Sequence, residues 1–103
     1  MDKQDKISRM TELTLTDRVV VPEAVVSRDL DGETVLLNLE SGIYFGLDAV
    51  ATEMWKALQP GCSLLDACST LLAVYDVDPA VLRGDLLRLV NQMAAKGLLR
   101  TEP

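Results

Sequence analysis

The sequence predicts an α+β domain: a three-stranded antiparallel sheet followed by three helices, in the order of a winged-helix module. Three observations carry this reading. Runs rich in β-branched and aliphatic residues fall between positions 19 and 47, where turn dipeptides separate them. Three stretches with helical spacing, each preceded by a capping residue, fill positions 48–96. Nothing between Val19 and Leu99 looks like a linker, a repeat or a low-complexity tract. Residues 17–101 are therefore expected to fold as one domain, preceded by a flexible segment over residues 1–16 that mixes charge and small polar residues without a period.

The first strand is expected over Val19-Val20-Val21 and Val25-Val26, interrupted at Pro22, since a proline cannot donate to a ladder. Asp31-Gly32 then suits a two-residue type I′ turn, because both residues tolerate positive φ, so the second strand, residues 33–39, returns antiparallel. Glu40-Ser41-Gly42 carries turn chemistry, and residues 42–47 form the third strand. Asp48 stands where an N-cap belongs, directly before a helix over residues 49–58 that puts Met54, Trp55 and Leu58 on one apolar side, with Trp55 as a core anchor. Pro60-Gly61 stops that helix. Ser63 caps the second helix, read to Tyr75, and Asp78-Pro79 opens the third and longest, which Gly97 ends. Leu98-Leu99-Arg100 follows as a short extended tail.

Composition removes several classes of function. The 103 residues are 49 % hydrophobic and carry 16 acidic against 10 basic side chains, a formal charge of −6. Such a field repels a phosphate backbone, so nucleic acid is not an expected partner. The chain has no histidine and two cysteines, Cys62 and Cys68. That excludes a His-assisted nucleophile and a closed four-ligand zinc site, so no enzyme activity and no cofactor are expected. Six positions apart on one helix, the cysteines point to different faces and are not expected to bridge. The apolar runs are too short to cross a membrane and the N-terminus has no signal-like apolar core, which reads as a cytoplasmic protein.

What remains is binding. With the strands in sequential order, the third strand lies at an edge, and residues 42–46 hold no lysine, glutamate or proline to blunt it. An open edge beside an apolar helix can accept an extended peptide as a further strand. The candidate walls are Gly42, Ile43, Tyr44, Phe45 and Gly46 of the strand with Leu82, Asp85, Leu86 and Leu89 of the third helix. The competing reading is that the same apolar stripe is core and that Asp85 and Arg88 belong to a solvated face. Alternation along the strand leaves open which of Tyr44 and Phe45 faces a groove. Two further alternatives stand: a winged-helix DNA-binding regulator, against which the scarcity of basic residues on the third helix argues, and a dimer, weak if formed, that pairs its own strand edge.

Leu36-Leu37-Asn38-Leu39-Glu40-Ser41-Gly42-Ile43-Tyr44-Phe45-Gly46-Leu47-Asp48 and Met54-Trp55-Lys56-Ala57-Leu58, together with Asp85-Leu86-Leu87-Arg88-Leu89 and Gly97-Leu98-Leu99, resemble the PqqD-like family in their order and spacing. The resemblance implies a RiPP recognition element, which captures the leader of a ribosomal precursor peptide on its third strand and third helix. It further implies a partner, a leader peptidase or a modifying enzyme. Ala51, where many PqqD proteins have glycine, and the extended region before the second strand look more like the leader-binding proteins of lasso-peptide clusters than the pyrroloquinoline quinone chaperone.

Overall fold

The structure, a computed structural model, describes residues 15–103, and the N-terminal segment read as flexible lies outside the described residues up to position 14. Eight elements follow in order: β1 (Arg18–Val20), β2 (Val25–Leu30), β3 (Glu33–Asn38), β4 (Tyr44–Leu47), α1 (Ala49–Ala57), α2 (Leu64–Leu72), α3 (Pro79–Ala95) and β5 (Arg100–Glu102). The expected three-stranded antiparallel sheet is present in the order β2-β3-β4, and the three expected helices follow it.

Local chemistry explains the boundaries. Asp31 and Gly32 take φ of 54° and 85°, the double positive φ of the predicted hairpin turn. Each helix starts on a side-chain cap: Asp48 accepts from the Ala51 N–H, Asp78 from the Ala80 N–H, and Ser63 from the Asp66 N–H. Asp66 returns the bond to the Ser63 N–H and completes a capping box. Pro79 sits in the first turn of α3, where its missing N–H costs nothing, and Gly97 ends that helix at φ 71°.

Two expectations need correction. Residues 19–26 do not form one strand with a break at Pro22; the chain leaves one sheet for another there. β1 pairs with β5 in a separate two-stranded sheet, Val19 opposite Thr101, while β2 pairs with β3. The extended tail at Leu98-Leu99-Arg100 is thus the approach to a real strand, and Leu98 and Leu99 are buried core residues. α2 also stops at Leu72, short of Tyr75, and the chain from Ala73 to Asp78 crosses to α3 without regular structure.

The core joins the helices to one face of the sheet. Leu36 and Leu47 from the strands meet Met54 and Leu58 of α1, Leu64, Ala67, Cys68 and Leu71 of α2, and Leu82, Leu86, Leu89, Val90 and Met93 of α3. Trp55 packs against this cluster while remaining half-exposed. On the far side of the cluster β1 is held by more than β5: the Val19 N–H donates to the Cys62 carbonyl, and the Gly61 N–H donates to the Val19 carbonyl. Leu15 is anchored too, its carbonyl accepting from the Leu65 N–H at 2.8 Å. Cys62 and Cys68 are free thiols.

Candidate functional site

The β3–β4 connection fixes how β4 presents its backbone. Asn38 ends β3 and folds its side chain into the turn, where Oδ1 accepts from the Glu40 and Ser41 N–H groups at 2.9 and 3.1 Å. Its Nδ2 donates to the Gly97 carbonyl at 2.9 Å, tying the turn to the end of α3. Gly42 takes φ 75° and donates to the Asn38 carbonyl. The chain therefore enters β4 from a turn braced on both sides.

Ladder parity then decides which groups are open. The Asn38 N–H donates to the Ile43 carbonyl, so Asn38, Leu36 and Thr34 form the bonded pairs with Ile43, Phe45 and Leu47. The Leu39 N–H donates to the Ala24 carbonyl, which commits the alternate residues of β3, Leu37 and Val35, to β2. Both sides of β3 are consumed. By the same parity the N–H and C=O of Tyr44 and Gly46 point away from β3, and among the described residues no strand pairs with that side of β4.

Side chains alternate in step. Leu36, opposite Phe45, and Thr34, opposite Leu47, are buried against the helices, so Phe45 and Leu47 lie on the helix side. Lys96, just past α3, places its Nζ 5.5 Å from the centroid of the Phe45 ring, within cation–π range. Tyr44 lies on the opposite face and is 72 % exposed. Of the helix positions singled out in the sequence, Leu82, Leu86 and Leu89 are buried in the core, with Leu86 at 0 % exposure. Asp85 is half-buried and pairs with Arg88 at 3.0 Å.

A cleft of about 440 Å³, which sequence reasoning missed, opens where β4 ends. Val50 and Met54 of α1, Leu71 of α2, Tyr75 and Val77 of the connection, and Val81 and Leu82 of α3 form its apolar wall, with Glu53 and Asp85 as carboxylate members. Leu47 closes β4, Asp48 caps α1, and Ala49 already lines the cleft, so strand edge and cleft are neighbours along the chain. Periodicity assigns Tyr75 to a helix stripe; only the early end of α2 turns it into a cleft wall. Among the described residues no group of three or more His, Cys, Asp or Glu side chains is placed to hold a metal ion, and no helix is long and apolar enough to cross a membrane.

Fold and edge together define a winged-helix-like α+β domain that covers one face of its sheet and leaves β4 with an unpaired side. The chain belongs to the PqqD family, described as coenzyme PQQ synthesis protein D, which matches residues 33–99. Among solved structures it is similar to TbiB1 in complex with the TbiA(beta) leader peptide, at 38 % identity and a TM-score of 0.72 over 79 % of this chain and 94 % of that one. It also shares the fold of a lasso peptide synthetase B1 complexed with the leader peptide, at 24 % identity and a TM-score of 0.70 over 81 % and 98 % of the two chains. Comparison with curated proteins gave no match.

Proposed function

We propose that this chain is a non-enzymatic adaptor of lasso-peptide biosynthesis: it binds the leader of a ribosomal precursor as a fourth antiparallel strand on β4 and presents the remainder to a leader peptidase or modifying enzyme. The observation that carries the proposal is the outward-facing main chain of Tyr44 and Gly46 on a strand that leads directly to Ala49 in the wall of an apolar cleft, in a chain similar to a protein solved with a leader peptide bound. The proposed binding residues are those singled out from the sequence, Gly42, Ile43, Tyr44, Phe45, Gly46, Leu82, Asp85, Leu86 and Leu89.

Magnitudes say how such a site divides its work. Tyr44 and Gly46 offer one N–H and one C=O each, and at about 0.5–1.5 kcal/mol net per hydrogen bond the edge supplies about 2–6 kcal/mol. Association alone costs about 4–15 kcal/mol, so the edge sets the peptide's direction and register while apolar contacts beside it supply the affinity. An antiparallel addition runs from the Leu47 end of β4 toward the Tyr44 end, which leads the residues before the paired stretch past the cleft and sends those after it out beside Lys96.

The test uses fluorescence polarisation of the labelled cognate leader. Tyr44→Pro removes one outward N–H and leaves the β3–β4 pairing intact, so leader affinity is expected to fall at least tenfold while the thermal midpoint changes little. Phe45→Pro strikes the pairing itself and is expected to destabilise the fold. A folded Tyr44→Pro variant that binds leader normally would place the site elsewhere. Leu86→Asp is no test of contact, since it buries a charge in the core.

A further inference from the structure

The face of the sheet turned away from the helices is more apolar than a solvated antiparallel sheet requires. On β3 the helix side presents Thr34, Leu36 and Asn38, whereas the other side presents Val35 and Leu37 beyond Glu33 at the strand's start. Register extends this strip across all three strands: Val26 stands opposite Leu37, and Leu37 opposite Tyr44. Val26 is 44 % and Leu30 54 % exposed, on the same face. Antiparallel sheets with one wet face normally alternate apolar inside and polar outside. Here no described element covers the outer side, and β2 is exposed along nearly its whole length.

We infer that this face docks the enzyme that acts on the captured peptide, a protein presenting an apolar centre ringed by lysine or arginine. The inference rests on the leader-binding reading above. Two observations select this occupant over a second copy of the chain. The first is charge: Glu33 on this face and Asp31 and Glu40 in the turns that bound it outnumber its one cation, Arg28, which stands opposite Val35, and the chain's net charge of −6 opposes self-association. The second is continuity. Tyr44 belongs to both surfaces, its main chain to the open edge and its side chain to the apolar face. In a fourth strand, the peptide residues opposite Tyr44 and Gly46 project onto that same face, and those between them project toward Phe45. A bound leader therefore widens the face, and the enzyme reads a surface built from both chains. Loading and docking are coupled through shared geometry, with no change of fold required.

The experiment measures two affinities on one set of purified proteins: the cognate leader by fluorescence polarisation, and a leader peptidase from the same organism by biolayer interferometry, with and without leader. Val26→Arg and Leu30→Arg change exposed side chains at a distance from β4 and leave leader affinity within twofold. Both are expected to weaken peptidase binding at least tenfold, and wild-type protein is expected to bind peptidase at least threefold more tightly when loaded. Normal leader binding with peptidase binding unchanged in both variants, or absent in the wild type, overturns the docking face and leaves the adaptor standing. A wild-type chain that fails to bind leader overturns the adaptor itself. Sedimentation supplies the remaining outcome: a dimer that Val26→Arg dissociates makes the occupant a second copy and overturns the enzyme assignment.

Discussion

Asn38 shows how one amide can set the geometry of a binding edge. It terminates β3, accepts two N–H groups of the following turn, and ties that turn to the Gly97 carbonyl. Replacing it by alanine removes those three hydrogen bonds, and since Glu40, Ser41 and Gly97 are exposed to water the cost is about 0.5–1.5 kcal/mol for each bond lost. Asn38→Ala is therefore expected to lower the urea midpoint and to weaken leader binding as well, because β4 loses its bracing; a variant as stable as the wild type would remove this role. Both thiols titrate above the ordinary cysteine range because burial disfavours the thiolate, with a nearby Arg83 opposing this at Cys68. A raised native value stabilises the fold below the unfolded thiol pKa of about 8.5 and is lost as pH climbs through the native value. Stability measured by urea at pH 7 and pH 10 should fall less in Cys68→Ala than in the wild type.

Single elements carry distinct parts of the design. β4 is four residues long and among the described residues pairs on one side only, which limits it to a short register and makes a neighbouring apolar surface necessary for affinity. α2 depends on its start: Ser63 and Asp66 form the reciprocal cap at its N-terminus. Ser63→Ala should cost about 1 kcal/mol, read as a lower denaturation midpoint at unchanged slope. α3 is the central support, burying Leu82, Leu86, Leu89, Val90 and Met93. Leu86→Ala is expected to cost about 2–5 kcal/mol by opening a cavity. A stripe at helical spacing predicts such burial equally well whether it faces a core or a groove, which is why the sequence left both readings of α3 open. In the free chain the leucines are core, and the open apolar surface lies in the cleft at Val50, Val77 and Val81.

At the scale of the whole molecule, the ends of the domain are tied together. β1 and β5 pair across the fold, their nearest partners Val20 and Arg100 standing 80 positions apart in the chain, and β1 is bonded to the loop ahead of α2 as well. A chain ending at Leu99 should unfold at lower urea while its leader affinity stays within twofold, because β4 lies in the other sheet. The same closure explains the misread first strand. Val19-Val20-Val21 and Val25-Val26 have identical local character, and Pro22 marks an interruption without saying whether the chain resumes in the same sheet.

Turns, caps and strand order were legible from residues alone, because Asp31-Gly32, Gly42, Asp48, Ser63, Asp78 and Gly97 act through φ preference and hydrogen bonds that reach only three or four positions. The edge character of β4 was legible for the same reason, through short strands in sequential order. Tertiary structure alone decided the rest: which strand β5 meets, which face Phe45 and Tyr44 take, how deeply α3 is buried, and where a cleft opens. Each of those depends on contacts between segments far apart in the chain, and no local spacing encodes the distance between two surfaces.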